Sequence, residues 1–313
     1  MIAQYNSIEV PEIGTSIPSS AWEGKVHSVF FNAINILHPD GFFVSLIKDS
    51  SQMSSLSILA PEYFRDDIQK EENIFGKIEP STKAFFITGK LVVGDFCFEL
   101  TNGQLWDGSL SLDCVEGFTF RKLPFFELAL LSIGKPEGFI GILRSEEKGD
   151  QFVKRYCNSL KSIRVSYLNN NEKVLMGLSP LVGLGIGLTP SGDDFLSGVL
   201  LGERMLSLLL LSNPEKVEGE TGKRYYLHIE KNEILVSLIK TTFAGRTLLL
   251  EALRGQFPAF ILKLVNRMAK SSSFDEMMES VSQAGSHGET SGIDTSVGLF
   301  WFLNYFWKMD STK

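Results

Sequence analysis

Cysteine is scarce in this chain: Cys97, Cys114 and Cys157 are the only three among 313 residues. An odd number without metal-type spacing excludes a disulfide framework, and reads as reduced thiols packed as small hydrophobes in a cytoplasmic protein. Positive charge is also in short supply. The 30 Lys and Arg are outnumbered by 37 Asp and Glu, for a formal net charge of -7, and no Lys/Arg block is interleaved with aromatics, so no nucleic-acid partner is expected. The longest apolar run, 205–211, is too short to span a bilayer. The opening MIAQYNSIEVPEIG lacks the basic and apolar regions of a signal peptide, so neither export nor a membrane is expected. Common catalytic and nucleotide motifs are missing too. There is no Gly-Lys-Ser/Thr loop, no G-x-G-x-x-G opening a βαβ unit, no H-E-x-x-H and no G-x-S-x-G elbow, which sets aside the usual forms of nucleotide binding.

What is present describes an ordinary globular chain, 43% hydrophobic and 21% charged, long enough for one large or two medium domains. Between 24 and 121 the apolar runs are short (41–47, 55–59, 83–87, 90–93, 95–100), broken at Gly89 and Gly94, with a hairpin signal at Asn102-Gly103. A β-rich, barrel-like domain is predicted over 1–123, and the proline- and glycine-marked stretch 124–150 is read as a junction. From 151 to 313 apolar residues recur at helical spacing, over 151–168, 191–211, 230–255, 257–270, 274–284 and 295–309. The expected fold class is therefore α+β, a β-rich N-terminal domain followed by a mainly helical C-terminal one. The polar, turn-rich 212–223 is expected to be a mobile loop. The last helix is apolar on nearly every side at 299–307, so it belongs either in the core or beneath a partner subunit, a homo-oligomer included.

The distinctive stretch is LVGLGIGLTPSGDDFLSGVLLG, residues 181–202. Gly183, Gly185 and Gly187 alternate with Leu184, Ile186 and Leu188, so the backbone there can turn freely or admit another group closely. Pro190 ends this segment and Ser191 is a natural N-cap for an apolar helix. Gly198 and Gly202, four apart, weaken that helix, and their usual use is close approach of another backbone. Near the C-terminus, Thr290-Ser-Gly-Ile-Asp-Thr-Ser-Val-Gly298 lies without gaps on Pro190–Gly198, matching Ser291 to Ser191, Gly292 to Gly192, Asp294 to Asp194 and Gly298 to Gly198. If the two are structural repeats, two helix N-termini face one site.

Helix N-terminal N–H groups preceded by glycines suit phosphate or carboxylate, which makes Gly185, Gly187, Ser191 and Gly192 anion-binding candidates, with a hydroxyl from Thr189. Asp193 and Asp194 in the first turn gain roughly 0.3–1 kcal/mol each from the helix dipole and compete for the same donors. Three resolutions stay open: one Asp caps the helix, a divalent cation such as Mg2+ bridges carboxylate and anion, or an Asp is a base beside a polar substrate. His287, in Gly285-Ser-His-Gly288, has the chemistry of an acid, base or anion partner, against simple surface decoration. Arg246 and Arg254, eight apart on one predicted helix, offer guanidinium contacts to carboxylate or phosphate, against structural pairing.

The run from Gly183 to Gly202 resembles the signature of the AllH-like family, once a domain of unknown function and now associated with oxamate carbamoyltransferase. The likeness is specific at 185–202, extends to the layout of a β-rich part before helices, and is next strongest at 25–31 and 241–255. The resemblance implies reversible carbamoyl transfer between carbamoyl phosphate and oxamate late in allantoin breakdown, by several different subunits together. On that reading Gly185, Gly187, Thr189, Ser191 and Gly192 cradle a small anionic substrate. Asp193 or Asp194 orients the amide or accepts its proton, and Ser291, Gly292 and Asp294 close the site, with His287 a further catalytic candidate. Two other classes stay open. One is a non-catalytic subunit that binds a small carboxylate or completes a heteromeric enzyme. The other is a magnesium-dependent hydrolase or transferase with Asp193, Asp194 and Asp294 as ligands.

Overall fold

The computed structural model describes residues 5–64, 78–135, 137–144, 151–168, 172–212 and 226–311. Of the expected mobile loop, 213–223 lies outside the described residues. The chain divides into two compact units, Met1–Gly108 and Ser109–Lys313.

Among the described residues of the first unit the short apolar runs become ten strands: Asn6–Glu9 (β1), Glu12–Gly14 (β2), Trp22–Val29 (β3), Ala33–Leu37 (β4), Phe43–Ile47 (β5), Ser57–Leu59 (β6), Lys83–Ile87 (β7), Lys90–Val93 (β8), Phe96–Glu99 (β9) and Gln104–Trp106 (β10). They form one curled sheet, a half-barrel, in the order β1-β9-β8-β7-β3-β4-β5-β6-β2-β10. Gly89 (φ 74°) and Gly94 (φ 57°) sit in the tight turns on either side of β8, in backbone conformations that favour glycine. Along β7 the period of two is plain, with Ala84 and Phe86 buried and Lys83, Phe85 and Ile87 exposed. Asn102-Gly103 does turn the chain, but not into a hairpin: β10 pairs parallel with β2, leaving β9 to pair parallel with β1. The buried side holds Ile34, Ile36, Val44, Leu46, Ile58, Leu91, Val93 and Phe98.

The second unit is mainly helical. Its helices are Leu112–Val115 (α1), Leu123–Ile133 (α2), Ile140–Leu143 (α3), Gln151–Leu160 (α4), Ser191–Ser212 (α5), Lys231–Ser237 (α6), Phe243–Leu253 (α7), Ala259–Lys270 (α8), Phe274–Gly285 (α9) and Ser291–Ser311 (α10). At the start of the stretch read as a junction, α2 buries Leu123, Phe126, Ala129 and Leu130 in this unit's core. Two expected helices are interrupted. Helix α4 stops at Leu160, where the Ser162 hydroxyl bonds the carbonyls of Ser159 and Gly177. Arg164–Tyr167 (β11) then pairs antiparallel with Glu172–Met176 (β12), which pairs parallel with Tyr226–Ile229 (β13). The helix expected over 230–255 breaks near Thr241, because Thr242 begins a new helix by accepting from Gly245 N–H.

Helices α5 and α10 form the centre of this unit. Helix α5 is long and apolar enough by length and composition to cross a membrane, which the short run 205–211 did not suggest, yet 72% of its apolar window is buried inside the protein. A core helix meets both conditions, because it too is surrounded by apolar groups. Helix α10 takes the core place foreseen as one of its two options, burying Val297, Leu299, Phe300, Phe302 and Leu303.

The glycines of the repeated motif decide how these two helices meet. A Cβ on Gly198 would run into the Thr295 carbonyl, and one on Gly298 into the Phe195 carbonyl. The two contacts are images of one another under exchange of the helices, since residue numbers in the two copies differ by 100. Further along, a Cβ on Gly202 would lie 2.8 Å from the Phe302 ring. Residue numbers rise together along both helices, so α5 and α10 run parallel and their N-termini lie side by side.

Candidate functional site

Before α5 the chain coils back on itself. Gly183 (φ 73°), Gly185 (φ 120°) and Gly187 (φ 105°) all take backbone conformations rarely open to other residues. A side chain at Gly183 would collide with the Lys240 carbonyl, and one at Gly185 would come within 2.9 Å of Ser191 N. The first turn of α5 is held by the Pro190 carbonyl, which accepts from Asp193 N–H (2.8 Å) and Asp194 N–H (3.3 Å). Pro190 thus does the capping expected of Ser191, whose hydroxyl serves Asp294 instead. In the second copy the Thr290 carbonyl accepts from Asp294 N–H at 2.8 Å.

Two of the glycines assigned to anion binding have another task. Gly192 N–H donates to the Leu184 carbonyl (2.7 Å) and Gly292 N–H to the His287 carbonyl (3.0 Å). A Cβ on either would strike a carbonyl, that of Leu181 or Ala284. These amides are therefore committed inside the fold, and both glycines let the preceding chain press onto a helix N-terminus.

The neighbouring aspartates part company because adjacent helical residues point about 100° apart. Asp193 is buried facing α7: its Oδ1 accepts from Gly183 N–H at 2.8 Å and its Oδ2 from the Thr241 hydroxyl. Burial raises its pKa to about 6 against those two stabilising bonds. Asp194 instead faces Asp294 of α10. These carboxyls are 3% and 0% exposed, and an oxygen of each, Oδ2, has no hydrogen-bond partner among the described residues.

The serines cross between the copies and the threonines stay within their own: Ser291 and Thr189 support Asp194, whereas Ser191 and Thr290 support Asp294. Phe139 N–H donates to Asp294 Oδ1 at 2.6 Å. Burial pushes Asp294 up to about 7. Burial and then the charge of Asp294 hold Asp194 well above the usual carboxylate range. The two carboxyls act as one pair that is reluctant to carry two charges. Thr189 and Ser291, their hydroxyls 3.0 Å apart, are partly exposed and link this pair to the surface.

His287 stands apart from the pair's hydrogen bonds. Its ring stacks on Phe260, centroids 4.0 Å apart, and burial lowers its pKa, so the neutral imidazole is favoured. Among the described residues no group of three His, Cys, Asp or Glu side chains could hold a metal ion. The set Asp193, Asp194 and Asp294 does not converge, because Asp193 is turned to Thr241 and Gly183. Sequence reasoning missed Gly138 and Phe139. Gly138 (φ 79°) leaves room for the Asp294 carboxylate, and the only signal was a glycine in a turn-rich stretch.

Residues 181–303 match the family model described as oxamate carbamoyltransferase subunit AllH, and residues 10–105 match the AllH family N-terminal domain. The chain belongs to the AllH family. The AllH match opens on the glycine-rich coil and reaches into α10, so it contains both copies of the Ser-Gly-x-Asp motif. The N-terminal match spans most of the half-barrel. Designation as a subunit implies that AllH proteins work with other subunits of a complex. No solved structure matches the chain.

Proposed function

We propose that this chain is a subunit of an oxamate carbamoyltransferase and that the Asp194–Asp294 pair serves carbamoyl transfer between carbamoyl phosphate and oxamate. The observation that carries the reading is two buried carboxyls, each with an oxygen lacking a partner among the described residues, joined to the surface by the Thr189 and Ser291 hydroxyls. Such a pair is costly to bury, and the glycines and the apolar side chains around them already account for the packing of α5 on α10.

In the proposed step the amide nitrogen of oxamate attacks the carbamoyl carbon. The carbon–oxygen bond to phosphate breaks, phosphate leaves with its electron pair, and the amide proton passes through the Ser291 or Thr189 hydroxyl to the carboxyl pair. A carboxyl titrating near neutrality is suited to holding that proton and returning it in the reverse direction. The partly exposed Thr189 and Ser291 hydroxyls and the amides of Gly185 and Gly187 are the donors offered to the substrate anions, while the buried Ser191 hydroxyl stays with Asp294. Asp193 positions the glycine coil by holding Gly183 and takes no proton.

The test is turnover of carbamoyl phosphate and oxamate by the chain assembled with its partner subunits. Asp194→Asn and Asp294→Asn should each abolish turnover while the assembly stays intact. Full turnover in either variant would move the chemistry to another subunit and leave this chain a role in assembly.

A further inference from the structure

Arg246 carries a charge that the proposed step leaves unused. It is partly buried on α7, and its Nε is shut off from solvent with no hydrogen-bond partner among the described residues. No carboxylate pairs with it among the described residues, whereas Arg254 bonds Glu251 at 2.9 Å and Arg144 donates to the carbonyls of Leu131 and Gly134 at 3.1 and 2.6 Å. The buried aspartates are turned to other partners: Asp193 accepts from Gly183 N–H and the Thr241 hydroxyl, and Asp294 from Phe139 N–H. A guanidinium partly stripped of water and without an anion among the described residues is a costly arrangement that a bound anion would relieve.

Its place on α7 is beside the glycine coil. The first turn of α7 lies against that coil, with the Thr242 hydroxyl donating to the Leu188 carbonyl at 2.5 Å and Gly183 close on Lys240. Arg246 follows one turn later, its N–H donating to the Thr242 carbonyl at 2.8 Å. Helical side chains lean toward the N-terminus of their own helix, which directs Arg246 back toward the turn of Thr242, and Thr242 is itself bonded to Leu188, the chain neighbour of Thr189. Leu188 and Phe243 are exposed there, 44% and 43%, so this part of the surface is open to a ligand from solvent.

We infer that Arg246 is the anion-binding guanidinium at the rim of this site, and that it grips the phosphate group of a phosphorylated substrate through paired N–H donors. Naming that substrate carbamoyl phosphate rests on the proposed function; the phosphate contact does not. The probe is inorganic phosphate, with binding to the purified chain followed by calorimetry and by its rise in melting temperature. Arg246→Gln should raise the phosphate Kd by about 10- to 100-fold, the range for a lost charge-assisted contact. In the assembled enzyme the same variant should raise KM for carbamoyl phosphate far more than it lowers kcat.

Wild-type affinity for phosphate in a folded Arg246→Gln chain overturns the assignment, as does a wild-type chain that binds no phosphate. Should Arg246→Gln fail to fold, Arg246→Lys decides. It keeps the charge but loses the planar fork, so affinity should fall several-fold, and unchanged affinity overturns the assignment. Phosphate binding through Arg246 without carbamoyl transfer would refute the proposed function alone. Transfer with a normal KM in Arg246→Gln would refute this inference alone.

Discussion

Asp294→Asn should make the protein more stable at alkaline pH while silencing it. Asp294 titrates near 7 in the fold and near 3.8 in an ordinary environment. For an acid whose pKa is raised by folding, the stabilising share is fully present below pH 3.8 and is lost as pH climbs through 7. The cost at pH 8 is about 4 kcal/mol of folding free energy, at 1.36 kcal/mol for each pH unit between the two values. Asparagine carries no charge to desolvate, and its Oδ1 can keep the 2.6 Å bond from Phe139 N–H. Some of the gain is given back as the amide group finds partners beside Ser191 and Asp194. The variant should therefore gain about 2–4 kcal/mol at pH 8 and at most about 1 kcal/mol at pH 4.5, which lies just above the ordinary value of 3.8. For a unit of this size that is about 5–15 °C in Tm. Urea unfolding of both proteins at pH 4.5, 6, 7 and 8 reads it directly. A difference that stays constant across that range, or a variant less stable at pH 8, would refute the buried-pair argument.

Gly198→Ala and Gly298→Ala should each cost about 2–4 kcal/mol, because each methyl group strikes a carbonyl of the opposing helix and must force α5 and α10 apart; unchanged thermal melts would contradict the close parallel packing. Asp193→Asn should keep turnover, since its role is to accept from Gly183 and Thr241, whereas Asp193→Ala should lose about 1–3 kcal/mol of stability by leaving Gly183 N–H without its acceptor. Steady-state kinetics and melts on the two variants separate these roles, and loss of turnover in a stable Asp193→Asn would return this residue to the chemistry. Joint replacement of Thr189 by Val and Ser291 by Ala should cut kcat by about 100-fold by removing the hydroxyl link to Asp194. An unaltered kcat would exclude proton passage along that link.

Much of this protein is a matter of local pattern, and local pattern is written in the sequence. The period of two along 83–87 and the glycines at 89 and 94 define strands and their turns without help from the rest of the chain. Helical spacing and glycine position likewise announce two motif helices, with Gly198 and Gly298 marking where something must come close. The misread segments are those in which distant residues overrule spacing. Segment 164–167 alternates too briefly to defeat a helical reading until β12 offers it hydrogen bonds. Strand β10 pairs with β2, 92 residues before it in its first aligned pair, which Asn102-Gly103 cannot reveal. The site is the sharpest case. Asp193 and Asp194 are neighbours with the same chemistry, and their titles to function differ only in direction: a turn of about 100° sends one to Thr241 and the other to Asp294. That direction has no meaning in an isolated helix. It was decided when α5 packed parallel to α10, because the same glycine contacts that align the two helices also bring two carboxyls together away from water.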